Sequence, residues 1–407
     1  MRLTHLSLTN FRNFIRLDTD IPAGPVLVVG ANAQGKTSLL EAVYYLAGAS
    51  SPHTTTDRQL INFLALREPA PFTRLIGEVV RGGRPHRIEI RVVLEPAGPA
   101  EEPRLHKEVL LNGIRRRVRE LGGGLNAVLF LPQDLRVIEG SPGERRRYLD
   151  AAVCQADLHY AEALAEYARV LAQRNALLKQ IQERGPAASA NHGSTQLAYW
   201  DEKLTDTGAV LIRGRALALS ELDRLAGPLH AQLTNDLEKL RLDYQPAYDP
   251  LPHPPGQLGL PLATPLDRTG VGQAEIRDGM RLALERARAE EIARGVTLLG
   301  PHRDDFRLWS NGVDLGTYGS RGQNRTAMLS LKLAEVEWMH ARSGEWPALL
   351  LDEVLAELDI ARRQALLQRL SSAEQAILTC ADVEMFTHTF RQQATIWHVE
   401  AGNLHSP

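Results

Sequence analysis

"TYGSRGQNRTAML", residues 317–329, is the stretch that decides the fold. Two glycines and small polar residues stand directly before a helical pattern. Backbone N–H groups at a helix start, helped by the helix dipole, make a cradle for an anion. Far earlier, "GANAQGKT" (Gly30–Thr37) fits G-x-x-x-x-G-K-[ST] between an apolar run and a helical pattern. In that pattern the amides of Gly30, Ala31, Asn32, Ala33, Gln34 and Gly35 surround nucleotide phosphates. Lys36 brings a compact charge to them, and Thr37 offers a hydroxyl to Mg2+. The question is why one chain carries two phosphate-contacting glycine loops so far apart.

A third stretch lies just beyond the first. "PALLLDEVLAELD" (Pro347–Asp359) is an apolar run ending in two carboxylates. A buried parallel strand that ends in Asp352 suits a carboxylate holding Mg2+. Glu353 is then placed to orient or deprotonate an attacking water. The bland alternatives are a strand end with solvated acids and, for "GSRGQ", a polar turn capping a helix.

The bulk numbers narrow the class. The chain has 407 residues, 43% of them hydrophobic, and a formal net charge of −2. It can bury a sizeable core, and nothing in its composition calls for disorder. No apolar run approaches the ~20 residues of a membrane helix, and the N-terminus lacks the apolar core of a signal peptide. Cys154 and Cys380 stand far apart, which suits neither a disulfide framework nor a zinc site. The expectation is a soluble, cytoplasmic protein. Near-neutral charge argues against a globally basic nucleic-acid binder but leaves room for a local basic groove. Of the 47 basic residues only six are Lys, and Lys36 is one of them.

Along the chain, "LTHLSLTNFRNF" and Val26–Val29 read as strands, and "TSLLEAVYYLAG" reads as a helix closed by Gly48. Two hairpins turn at Gly82-Gly83 and Asn112-Gly113. Ser141-Pro142-Gly143-Glu144 is a capping box with Pro at the first helical position. From there to about residue 240 the pattern is helical, two long segments forming an antiparallel hairpin. Residues 246–272 are rich in Pro and Gly and read as a loop or partly disordered insertion. A helix over 273–294 follows, then strand-and-turn character from Thr297. The last part alternates: helix 323–342, strand 348–352, helix 359–371, strand 375–380 and a strand near 395–399.

The order of motifs, with a glycine-serine stretch shortly before the second acidic motif, resembles the ABC-type ATPases. There the LSGGQ-like signature precedes Walker B, and "ELD" ending in Asp359 resembles the D-loop. The resemblance implies that Ser320, Gly322 and Gln323 do not serve their own nucleotide. They meet the γ-phosphate on the P-loop of a second copy, with Asp359 nearby. Two glycine loops are then needed because ATP is bound between two copies of the chain.

The remaining patterns choose the branch. "LTNFRNF" (8–14), "FLPQDLRVIEGSPGERRRYLD" (130–150), "GPHRDDF" (300–306) and "SRGQNRTAMLSLKLAE" (320–335) closely resemble the RecF family of recombination mediators, over most of the chain. That family is related to the SMC and Rad heads. The fold implied is α/β, an ABC-type ATPase head with a mixed sheet and P-loop, plus an inserted α-helical arm. The head takes residues 1–149 and 296–407, and the arm takes 150–295. The function implied is an ATP-dependent DNA-binding clamp of recombinational repair. ATP closes a homodimer, the closed dimer binds duplex or gapped DNA, and slow hydrolysis releases it. Partners implied are RecR with RecO and, through them, the recombinase.

By position, the resemblance puts Arg12 near the phosphates and Gln133 where the Q-loop glutamine stands, near Mg2+ and the attacking water. The departures are Gly319 for Leu, Arg321 for a glycine, and a missing switch His after "AILTC". Thr379–Asp382 fill that place, and His388 lies too far on. Slow hydrolysis, a switch more than a motor, follows. Candidate DNA contacts are clustered arginines: Arg115, Arg116 and Arg117, Arg145, Arg146 and Arg147, and Arg362-Arg363. For each cluster, a solvated face or internal ion pairs is the competing reading. The rival functions are a chromosome-organising head, for which the insertion is too short, and a transporter ATPase, which needs a membrane partner.

Overall fold

The computed structural model describes residues 1–54, 56–95, 103–184, 194–251 and 266–405. In chain order its strands are β1 (Arg2–Phe11), β2 (Phe14–Asp20), β3 (Gly24–Val29), β4 (Phe72–Arg81), β5 (Arg84–Glu95), β6 (Arg104–Leu111), β7 (Ile114–Arg116), β8 (Ala127–Phe130), β9 (Leu240–Gln245), β10 (Asp305–Ser310), β11 (Val313–Asp314), β12 (Ala348–Asp352), β13 (Gln375–Cys380), β14 (Thr395–Glu400) and β15 (Asn403–His405). The chain divides into two compact units, one of Met1–Asp134 with Glu335–Pro407, the other Leu135–Ala334. The sequence division into head and arm is drawn elsewhere, at 149/150 and 295/296. The second unit takes in helix Pro142–Ala156 and strand β10, which pack on each other.

The first unit holds two sheets. One is antiparallel, in the order β2-β1-β4-β5-β6-β7. Both expected hairpin turns are present, with positive φ at Gly82, Gly83, Asn112 and Gly113, as two-residue turns with the twist of a hairpin require. In β1 the buried residues are Leu3, Leu6, Leu8 and Phe11, which breaks strict alternation twice. The register shifts between Leu3 and His5, and Asn10 is left-handed (φ 52°). The first adds one residue to β1 opposite β4 and returns the next apolar side chain to the core, whereas the pairing with β2 runs unshifted past Asn10.

The other sheet runs β15-β14-β3-β13-β12-β8, parallel except for β15. Strands β12 and β13 are buried along their whole lengths, and β3 from Pro25 on. That is why they read as unbroken apolar runs. Helix Lys36–Gly48 touches strands of both sheets. Leu39, Leu40, Ala42, Val43, Tyr45, Leu46 and Ala47 are all buried, so it carries no single apolar stripe. Gly77 permits this approach: a Cβ there would meet Leu46 Cδ1 at 2.8 Å and Leu3 Cδ1 at 2.9 Å. One local expectation is corrected. Gly48 is the last helical residue, and it is Ala49 that turns left-handed (φ 49°) and donates its N–H to Tyr45 O.

The second unit contains helices Pro142–Ala156, Leu158–Arg184, Ser194–Leu233 and Gln273–Arg294 and a small antiparallel sheet, β11-β10-β9. The two long helices run antiparallel. Tyr160 packs at Gly214, Tyr167 at Gly208, and Arg174 bonds Asp201. The capping box at Ser141 and Glu144 forms as read from sequence. Most of the Pro-rich insertion, 252–265, lies outside the described residues. Strand β9 has no counterpart in the sequence reading, although Leu240, Leu242 and Tyr244 alternate inward along it.

The "GPHRDD" stretch is structural. Arg215, 2% exposed, bonds Asp150, Asp304 and the Pro301 carbonyl, and Tyr244 OH donates to Asp304 at 2.5 Å. Tyr167 OH lies 2.7 Å from His302 Nδ1. Burial pushes the His302 pKa down to about 4, so its ring is neutral and able to accept that bond.

Candidate nucleotide-binding site

Strand β13 lies between β3 and β12, so the carboxyl ends of three parallel strands share one edge. In open α/β sheets ligands sit at such ends. Each strand delivers one part. After β3 the chain enters the phosphate loop, with Ala33 (φ 65°) and Gly35 (φ 120°) in positive φ. A Cβ on Gly35 would come within 2.4 Å of Asn13 Nδ2, so no larger residue fits. Asn13 uses that amide to hold Gln34 O at 2.7 Å, and Ala401 N–H donates to Gln34 Oε1 at 2.6 Å. The loop is thus tied from both sides.

Lys36 is 4% exposed. Its ammonium donates to Gly30 O (2.8 Å) and Ala31 O (3.1 Å) and pairs with Glu353 Oε1 at 3.0 Å. Thr37 Oγ1 lies 2.8 and 3.0 Å from the two Asp352 oxygens. One hydroxyl and one carboxylate at this spacing form a hard-oxygen donor set. That suits Mg2+ shared with phosphates more than a cation fully caged by protein. Among the described residues no cluster of three His, Cys, Asp or Glu is placed to hold a metal.

From the sequence alone, Thr379 only fills the place of the missing histidine. Its hydroxyl donates to Asp352 Oδ1 (2.7 Å) and accepts from Glu353 N (3.0 Å). It fixes one acid's side chain and the other acid's backbone, where Glu353 turns left-handed (φ 52°). The pairing of Asp352 with Thr379 across β12 and β13 puts them side by side. Thr379→Val, which keeps the shape and loses both bonds, should weaken the Mg2+ dependence of nucleotide binding about tenfold and cost about 1–3 kcal/mol of stability. Thr379→Ser should retain both. Calorimetric ATP titrations at graded Mg2+ would show it, and an unmoved Mg2+ midpoint in the Val variant would remove Thr379 from the metal side of the site.

Arg12 lines this centre, whereas Gln133 is turned to His53. Arg12 makes a two-pronged bond to Glu41 (2.7 Å each) and donates to Gln59 O. It lines a cleft of about 510 Å³ together with Asn13, Lys36, Thr37, Asp352 and Glu353. Gln133 Nε2 lies 2.9 Å from His53 Nδ1. Burial lowers the His53 pKa against the opposing charges of Glu41 and Asp352, which favours a neutral ring that accepts from the amide. His53 has no role in the sequence reading, and no local pattern marks it.

In the second unit, Ser320 and Gln323 form a reciprocal cap. Ser320 N donates to Gln323 Oε1 and Gln323 N to Ser320 Oγ. Gln323 Nε2 also reaches Glu238 Oε1 at 3.2 Å. The helix begins at Arg321, two residues earlier than expected, and Ser320, Arg321 and Gly322 are exposed. Asp359 caps helix Ile360–Ser371 through Arg362 N and pairs with the Arg362 guanidinium.

The arginine clusters separate. Arg115, Arg116 and Arg117 are exposed, the first paired with Glu108 and the second with Glu120. Arg145 is corrected: it is 1% exposed and spent on Asp305 in a two-pronged bond, with Gly140 O as a further acceptor. A buried, paired guanidinium cannot face DNA. Arg146 is half-buried and donates to Asp304 O.

No family model matches the chain. It is 40% identical, over 414 residues and 100% of both chains, to the DNA replication and repair protein RecF of Roseiflexus castenholzii. It is 35% identical to the RecF of Bacillus subtilis over 405 residues, covering 99% of this chain and 100% of that one. The chain belongs to the RecF family. A solved structure of the recombination mediator protein RecF with ATP, from the RecFOR pathway, covers 100% of the chain and is itself 97% covered. It matches with a TM-score of 0.82 at 29% identity. An SmcHead structure, bound to a winged-helix domain of ScpA, matches with a TM-score of 0.50 at 16% identity, over 100% of this chain and 97% of that one, and shares the fold alone. The fold is therefore that of an ABC-type ATPase head, α/β with a P-loop and an inserted helical segment. RecF membership also decides against the transporter and chromosome-organising alternatives.

Proposed function

We propose that this RecF-family chain is an ATP-dependent DNA clamp of recombinational repair. The observation that carries the reading is the meeting of Lys36, Thr37, Asp352, Glu353 and Thr379 at the ends of three adjacent parallel strands. That is the arrangement needed to hold a triphosphate with Mg2+ and a water beside it. Thr37 and Asp352 hold Mg2+, Glu353 serves as base, and Gln133 orients the water from the rim. Residues Gly30–Lys36 cradle the phosphates, and Arg12 adds charge. The exposed cap at Ser320 and Gly322, with Gln323 behind it, meets the γ-phosphate held by a second copy, and Asp359 contributes to the same nucleotide contact. ATP thereby joins two copies, and its hydrolysis separates them. The joined pair binds duplex or gapped DNA through phosphate contacts, for which Arg115, Arg116, Arg117 and Arg146 are the candidates. Such contacts give affinity that falls with salt. RecR, with RecO, is the proposed partner that passes the site to recombinase. Among the described residues no helix is long and apolar enough to cross a membrane, and a cytoplasmic location belongs to the same reading.

Light scattering without nucleotide, with ADP and with a non-hydrolysable ATP analogue tests the proposal. The mass should double only with the analogue. Ser320→Arg should bind ATP like the parent and stay monomeric, because the substitution crowds the exposed cap without touching the phosphate loop. Loss of ATP binding in that variant would refute the cross-copy role of the cap.

A further inference from the structure

Glu238 stands behind the cap at Ser320 and Gln323 and joins it to two other elements. Its Oε1 accepts from Gln323 Nε2 at 3.2 Å. Its Oε2 accepts from Ser310 Oγ of β10 at 3.1 Å and lies 3.2 Å from Nε2 of His230, in the last turn of helix Ser194–Leu233. His230 is fully buried, and its other ring nitrogen lies 3.1 Å from Ser330 Oγ, on the same helix as Gln323. Burial works to raise the Glu238 pKa, but the bonds from Gln323, His230 and Ser310 hold its carboxyl below the usual range. An ionised carboxylate only accepts, so the Gln323 amide has one orientation, with Nε2 to Glu238 and Oε1 to Ser320 N–H (3.0 Å). Gln323 N–H donates in turn to Ser320 Oγ at 3.2 Å, which leaves the Ser320 hydroxyl proton for an outside acceptor. Next to it Asn324, 2% exposed, donates to Glu139 Oε1 at 2.9 Å. A Cβ on Gly319 would come within 2.1 Å of Asn324 Oδ1, which is why glycine stands there in place of leucine.

We infer that Glu238 is a positioning residue for the Ser320–Gln323 cap. It touches no phosphate itself. It fixes the Gln323 amide and, through that amide, the direction in which Ser320 offers its hydroxyl to the γ-phosphate held by a second copy. A negative charge behind a phosphate-binding cap is an electrostatic cost, so a side chain that only filled the space would be better neutral. The inference rests on the cross-copy reading above and adds what aims the cap, a polar network anchored in the long helix and in β10.

The test is the dissociation constant of the pair formed with a non-hydrolysable ATP analogue and Mg2+, read by light scattering over a range of full-chain concentrations. Glu238→Ala should weaken pairing about tenfold or more, since hydrogen bonds to a charged group are the stronger ones. Its calorimetric affinity for ADP, which does not pair the chain, should stay at the parent value. Glu238→Gln, whose amide oxygen can still accept from Gln323, should pair at least as well as the parent. Gln323→Ala should weaken pairing as Glu238→Ala does. Adding Glu238→Ala to it should cost less than about twofold more, because the two residues act through one bond. Parental pairing in Glu238→Ala, or full additivity of the two substitutions, would overturn the positioning role and leave Glu238 a residue of stability alone. A parent chain whose mass does not double with the analogue would instead overturn the cross-copy reading on which the inference rests.

Discussion

Lys36→Met should abolish ATP binding, with affinity falling at least about a hundredfold because a charge-assisted contact to phosphate is lost from a low-dielectric site. The side chain is almost fully buried, and its ammonium is the group that would neutralise the β and γ phosphates. Met fills the same volume and donates nothing. The fold should survive. The acceptors left behind are two loop carbonyls and a Glu353 carboxylate whose side chain is 40% exposed and can be hydrated. Calorimetric titration with ATP, alongside a thermal melt, reads both halves. Nucleotide-driven doubling of mass should vanish with the binding. A Lys36→Met chain that binds ATP like the parent would falsify the assignment of the phosphate loop.

Glu353→Gln should produce the opposite kind of failure, binding without turnover. Removing a positioned general base costs about 10²–10⁴ in rate, so hydrolysis should fall by at least about a hundredfold. ATP affinity should hold or rise slightly. In this structure the carboxylate pairs with Lys36 at 3.0 Å, and nucleotide must displace that pair. The pair is partly exposed, so its loss is worth well under about 1 kcal/mol, a few-fold in affinity at most. The variant should stay paired on DNA in ATP while the parent releases. Phosphate release and DNA retention are the readouts, and parental turnover in the variant would rule out Glu353 as the base.

The parts legible in the sequence were those whose signal is local. A loop with glycines at fixed offsets, an apolar run ending in acids, and Gly-Gly or Asn-Gly between alternating strands each need only a few neighbouring residues. So does the cap at Ser320, although its helix begins two residues earlier than its apolar pattern alone suggests. What escaped depends on distant partners. Thr379 owes its place to strand pairing with Asp352. The triad Arg145, Arg146 and Arg147 reads as one basic patch, but the first arginine is claimed by Asp305, far along the chain. His53 meets Gln133 only after folding. Strand β9 is a different case: its alternation is visible in "LRLDYQ", but it is short and follows a long helical stretch.

The central position of β13 bears on how the site comes into being. Its residues Gln375–Cys380 pair with β3 on one side and β12 on the other. On a ribosome the phosphate loop emerges well before the strands that join it to Asp352, since 315 residues separate Thr37 from that carboxylate. Contacts of such long sequence separation are slow to form, because the intervening chain must be brought together first. A nascent chain therefore carries a recognisable phosphate loop with no second wall to work against. The wall that faces the phosphate loop is therefore set by long-range strand pairing and not by the loop's own sequence.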